Sequence, residues 1–180
     1  LDANQHKSRI ESMVGESLGR KVELRGDLYI DTSLIPRVVA RDIHIADVDW
    51  TAMEDITVID TLSFSLELLQ LILEKRVVVY GVELDGVRLN LDNNQAGDNN
   101  WTCGEQHSAS HAEGLSSIQD VVLENVSIVY RSPGGYEQTF TIAYAEVELD
   151  GGLKSLEITA SYRDETLVAS LQRNMNASSD

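Results

Sequence analysis

At 180 residues the chain fits a single domain, 1–180, long enough to bury a core, and its 42% hydrophobic content suits a folded protein that is not core-heavy. Thirty acidic residues against fourteen basic give a net charge of −16, which argues against nucleic-acid binding and against electrostatic docking on an anionic membrane. One cysteine, Cys103, excludes an intramolecular disulfide, and no run approaches the ~18 apolar residues of a bilayer span.

Opening at Leu1 rather than Met, the chain reads as a fragment or a processed form, soluble as it stands. Residues 4–18 carry Ile10, Met13, Val14 and Leu18 at helical spacing, with Gly19 placed to cap the C-terminus. From residue 20 to 172 the chain is β-rich. Val22, Leu24, Leu28 and Ile30 alternate with polar neighbours until the break at Ser33 to Arg37, which holds Pro36. Ile43 and Ile45 continue the alternation, and Val48 and Trp50 fall on the opposite parity, which places a bulge or strand end near Asp47. Residues 55–64 predict a strand with Ile56, Val58, Leu62 and Phe64 on one face. Residues 66–76 return to helical spacing and close on Lys75 and Arg76, predicting a short second helix. Strands at about 76–82 and 86–92 are joined by a turn at Asp85-Gly86. The stretch 93–114 is poor in apolar residues and reads as a long flexible loop. Strands at about 119–131, 138–149, 154–163 and 166–172 complete the chain, with Val126, Ile128 and Tyr130 sharing a face. The class is therefore α+β, mostly β: an antiparallel meander whose strands are apolar on one side.

Chemical motifs are weak. Cys103, His107 and His111 stand at successive i+4 spacing with Glu113 nearby, a metal-like set, yet the segment has no apolar face to hold a helix and reads as a solvated loop with a free thiol. Asp92, Asn94, Gly97, Asp98 and Asn100 resemble a calcium loop until the twelfth position, which is Cys103 instead of a glutamate. No nucleophile elbow, phosphate-cradling glycine loop or His-Glu-x-x-His is present, so no catalytic residue, cofactor or metal site is assigned. Asp60 interrupts an apolar parity and is a candidate perturbed acid or a sheet-margin residue. Trp50 and Trp101 suit either a membrane interface or the ends of the core. Sequons at Asn100, Asn125 and Asn176 matter only in a eukaryotic secretory setting.

Six signatures follow one another in order: Leu18-Gly19-Arg20; Gly26-Asp27-Leu28-Tyr29-Ile30; Ser33-Leu34-Ile35-Pro36; the stretch 40–50; Asn100-Trp101; and the stretch 123–131. Together with the apolar run Leu68 to Leu73, they resemble the N-terminal region of AsmA-like envelope proteins, relatives of chorein-type bridge-like lipid-transfer proteins, from about Ala3 to Leu171. The resemblance implies a curved antiparallel sheet with an apolar groove, capped by the N-terminal helix. It implies a non-enzymatic periplasmic module, anchored to the inner membrane by a helix absent from this chain, forming the membrane-proximal part of a phospholipid conduit that supports outer-membrane biogenesis. Phospholipid acyl chains are then the expected partner. The candidate groove residues are Val22, Leu24, Leu28, Ile30, Ile43, Ile45, Ile56, Val58, Leu62, Phe64, Val126, Ile128 and Tyr130. The alternative is a scaffold that recruits an envelope protein by adding a strand to its edge.

Overall fold

A computed structural model describes residues 3–31, 33–67, 78–102, 118–149, 153–163 and 165–173. Residues 68–76 of the expected second helix, and Cys103, His107, His111, Glu113 and Asn176, lie outside them, while Leu66, expected to open that helix, instead ends a strand.

A single 3-10 turn, Ala3–His6, leads into the helix α1, Lys7–Leu18. Gly19 ends it as expected, at φ 64° in the left-handed region that glycine enters without steric cost. The helix is only lightly docked. Ile10 packs against the core, while Met13, Val14 and Leu18 stay exposed. Glu11 instead caps the sheet edge, its Oε1 accepting the Leu24 amide at 2.7 Å.

Nine strands form one curved, unclosed sheet: β1 Val22–Leu24, β2 Leu28–Ile30, β3 Arg37–Ala46, β4 Asp55–Leu66, β5 Val79–Asp92, β6 Asp120–Arg131, β7 Glu137–Leu149, β8 Leu153–Tyr162 and β9 Glu165–Gln172. β1 and β2 pair end to end along β3, and the remaining strands follow in sequence order out to β9. Two expectations are corrected. The sheet is mixed and not a pure meander, because β5 and β6 run parallel from Val82↔Val121 to Asp92↔Arg131. A parallel pair needs a crossover of a dozen or more residues, and the stretch 93–119 supplies it. In addition, Asp85-Gly86 is no turn: one strand of 14 residues runs straight through it.

Gly86 is part of a feature that crosses the sheet. On β3 the core-facing residues Val38 and Ala40 give way to Ile43 and Ile45, so two successive residues, Arg41 and Asp42, point away from the core. The same slip occurs on β4 at Asp60-Thr61, between Ile59 and Leu62, and on β5 at Asp85-Gly86, between Leu84 and Val87. It recurs on β6 at Glu124-Asn125, between Leu123 and Val126, and on β7 at Ala143-Tyr144, between Ile142 and Ala145. These pairs are in register: Arg41↔Thr61, Thr61↔Asp85, Asp85↔Glu124 and Glu124↔Tyr144 all pair across neighbouring strands. Asp42 on β3, Gly86 on β5 and Asn125 on β6 have positive φ of 52°, 68° and 54°. A left-handed residue inverts the side-chain alternation after it, so five strands keep one apolar face on both sides of the line. At β7 against β8 the line ends in a register shift between Ile142 and Tyr144, and β8 and β9 then pair without interruption.

Candidate functional site

The apolar face is built from cross-strand rows. The longest runs Ala40, Leu62, Leu84, Leu123, Ala145, Ile158, Ala169, one residue per strand from β3 to β9. A second carries Val82, Val121, Val147, Leu156 and Leu171 from β5 to β9. Beyond the line of slips, Val126, Ile142, Ala160 and Leu167 form a third. Near the β3–β4 turn end Leu89, Ile128 and Phe140 form a fourth, and Phe140 stacks on Tyr162 with ring centroids 4.7 Å apart. Paired residues share a face, so these rows are continuous apolar tracks running across the strands.

α1 packs chiefly on β1, at one end of this face. There the core closes: Val22, Leu24, Leu28, Val38, Ala40 and Ile43 are buried. Farther along, Leu84, Leu123, Ile142, Leu156 and Ile158 are only half-buried, and Leu167 and Leu171 are exposed. The rows are thus sealed at the helix end and exposed at β9, and between these Val126 of β6 and Ala145 of β7 stay buried among half-open neighbours.

Placement of the thirteen sequence candidates follows from this. Val22, Leu24, Leu28, Ile43 and Val126 are buried within the cluster, while Ile30, Ile45, Leu62, Phe64 and Ile128 pack against it. Tyr130 shares the parity of Val126 and Ile128 but lies beyond the cluster, its ring tilted against Trp101 at 6.1 Å. Ile56 and Val58 do not join Leu62 and Phe64. The slip at Asp60-Thr61 turns Val58 to the opposite face, where it pairs with His44 and Arg88, while Ile56 lies in the register irregularity opposite Ile45-Ala46, buried but outside the cluster. Asp60 is also on that face, exposed and bonded to Arg88 at 2.8 Å, so it is no buried acid. Leu156 and Ile158 share a face in the alternation of β8 alone, whereas Leu84, Leu123 and Ile142 join the face only when rows are followed across strands.

The opposite face carries charge. A concavity of about 520 Å³ is lined by Arg37, Thr61, Ser63, Glu83, Asp85, Glu124 and Tyr144, with Val39, Leu84 and Val122. Several of its polar groups are engaged: Arg37 donates to Glu83 and Ser63, Asn125 donates to Asp85, and Tyr144 donates to Glu146. On β1, hydrogen bonds from Lys21 and then Arg25 hold the Glu23 carboxyl down at about 2.

A buried polar clasp joins three segments at the end of the sheet that holds the β3–β4 turn. Asn100 has no exposed surface; its Nδ2 donates to Asp47 Oδ2 at 2.7 Å and to the Asn90 carbonyl at 2.9 Å. Its Oδ1 accepts the Asp92 amide at 2.8 Å. Arg20 completes the clasp, donating to the Ala46 carbonyl, to Asp47 Oδ1 and to the Asn100 carbonyl. Two of the sequence signatures, Leu18-Gly19-Arg20 and Asn100-Trp101, therefore meet in space and serve the architecture. The Asn100 sequon is closed to glycosylation in the folded chain. Trp50 and Trp101 are both partly exposed at this end.

Among the described residues no group of three or more His, Cys, Asp or Glu could hold a metal, and no helix is long and apolar enough to cross a membrane. In comparison with known proteins, the AsmA family model matches residues 1–169, nearly the whole chain. No curated protein and no solved structure matches it significantly. The chain belongs to the AsmA family, a membership that points to a role in envelope- and lipid-related biogenesis and to a family that is generally not enzymatic.

Proposed function

We propose that this AsmA-family chain is a non-enzymatic phospholipid-binding module, the membrane-proximal part of a conduit in the periplasm whose parent protein is anchored to the inner membrane. The observation that carries the reading is the set of apolar rows crossing the sheet, closed under α1 and half-open from β5 to β9. An acyl chain laid along a row meets one aliphatic side chain per strand and gains ~0.8 kcal/mol for each CH₂ it removes from water. Six inter-strand steps at ~4.8 Å make the longest row a track of roughly 29 Å, longer than one acyl chain and too short to join two membranes. The −16 charge keeps anionic headgroups off the sheet and at its rims.

The test is solvent extraction and lipid mass spectrometry of gently purified protein. Near-stoichiometric phospholipid is expected, lost in Leu156→Glu on the apolar face and retained in Val168→Glu, which faces the other way on β9. A lipid-free protein that also refuses added phospholipid overturns the reading. A second reading then takes its place, because β9 is an open edge: all eight of its residues are exposed, and a partner strand could add to it.

A further inference from the structure

The side chain of His44 sits on the charged face of β3, mostly buried, with a carboxylate at each ring nitrogen. Nδ1 lies 2.5 Å from Asp55 Oδ2, and Nε2 lies 3.0 Å from Asp42 Oδ1. A neutral imidazole has one N–H and one lone pair, and an ionised carboxylate can only accept. With a neutral ring, one of these two contacts would set lone pair against lone pair. The imidazolium alone satisfies both.

The two carboxylates belong to different parts of the fold. Asp42 is the left-handed residue at which the line of slips crosses β3, and its φ of 52° is uncommon for any residue but glycine. Asp55 opens β4 directly after the β3–β4 turn, and its carbonyl accepts from Asn90 of β5. A charged His44 therefore ties the kink in β3 to the root of that turn.

The surrounding charges are accounted for. Across β1, His44 pairs with Glu23, which Lys21 and Arg25 already engage; Arg25 also reaches Glu54 of the turn at 3.9 Å. Across β4 its partner is the apolar Val58, and beyond that Arg88 of β5 is held by Asp60. Burial works against the cation and Arg25 repels it. Hydrogen bonds donated by the ring to Asp55 and then to Asp42 outweigh both, leaving His44 raised above the ordinary 6.5.

We propose that His44 is a proton-operated latch: its cation locks the β3 kink to the β3–β4 turn, and its neutral form lets go of one carboxylate. The folded protein holds this proton more tightly than the unfolded chain. The latch's stabilisation is therefore complete below pH 6.5 and is lost as pH rises through the raised folded value.

The test follows the His44 ring by nitrogen NMR in the intact chain, its resonance assigned by its disappearance in His44→Gln. His44 should titrate above 6.5, and Asp55→Asn and Asp42→Asn should each bring it down. In parallel, the urea midpoint of the wild type should fall across that titration relative to His44→Gln. A ring that titrates at or below 6.5, or a wild-type pH profile parallel to that of His44→Gln, overturns the latch. If His44→Gln does not fold, the two aspartate variants decide: an unmoved His44 titration in both also overturns it.

Discussion

The residue whose loss should be felt most is Asn100. It is the largest fully buried side chain, and it partners Asp47, whose carboxylate has no exposed surface either. Asn100→Ala removes the amide that donates to Asp47 and leaves the Asp92 amide without its acceptor. Asp47 keeps Arg20 and the Val48 amide, so the loss is one donor to a buried carboxylate and the acceptor of one amide, and it should cost about 2–3 kcal/mol in urea unfolding. Arg20→Lys tests the same clasp more gently, because an ammonium cannot reproduce the guanidinium fork that reaches three acceptors. Glu23 is the contrasting case, half-exposed at the sheet margin and held at about 2 by hydrogen bonds from Lys21 and then Arg25. A carboxyl depressed on folding contributes stability above its unfolded pKa near 4.5 that disappears as pH falls through about 2. Glu23→Gln should therefore flatten the stability profile between those values. Because the pair lies in solvent, raising salt should shrink the difference between variant and wild type.

At the scale of elements the line of slips is the organising feature, and Gly86 is its tightest point. Glycine is required there twice over: φ is 68°, and a Cβ would collide with the Asp60 carboxylate on the next strand. Gly86→Ala should destabilise by about 2–4 kcal/mol, combining the left-handed penalty of ~1–2 kcal/mol with the clash. All three atoms nearest that Cβ, the Asp60 Cβ included, belong to the Asp60 side chain, so Asp60→Gly in the same molecule should relieve the clash and leave the backbone term, a non-additivity that a double-mutant cycle in urea would read. The same line explains what the sequence could and could not reveal. Alternation located β4 and β6 to β9 to within a few residues, although it ran β1 and β2 together, and Gly19 marked the end of α1, because those signals are local. The slips were not legible. Within one strand, Arg41-Asp42 or Glu124-Asn125 is merely two polar residues in succession, and Asp85-Gly86 carries ordinary turn chemistry. Only the register, with the slips aligned across five strands, distinguishes a fold line from five strand ends. Parity carried across the line put Val58 on the wrong face, and the parallel joining of β5 and β6 left no trace in either strand's own pattern. The groove residues suffered similarly: the buried ones are apolar in any alternation, whereas the half-open ones are defined by what lies beside them.

For the whole molecule two tendencies oppose each other. β9 pairs with β8 through eight consecutive residues with no bulge, proline or lysine, and its outer edge bears Leu167 at 62% exposure and Val168 at 73%. An edge so unguarded is a template for pairing with another strand. Net charge acts the other way. Thirty acidic residues against fourteen basic make every copy repel every other, over a distance set by the Debye length, ~30 Å at 0.01 M salt and ~8 Å at 0.15 M. At low salt the repulsion reaches farther than the ~5 Å at which two edge strands begin to bond, and copies should stay apart. At high salt the repulsion contracts while the apolar contribution of β9 persists. Sedimentation velocity should accordingly report a monomer at about 0.01 M salt and a growing dimer fraction toward ~0.5 M, the opposite of an assembly held by ion pairs. Val168→Lys should abolish the growth, since a lysine on an edge strand opposes pairing at any ionic strength. Leu156→Glu, which charges the apolar face one strand inward, separates the two ways copies could meet. If it leaves the growth intact, the edge is the contact; if it removes the growth as fully as Val168→Lys, the copies are meeting through their apolar faces.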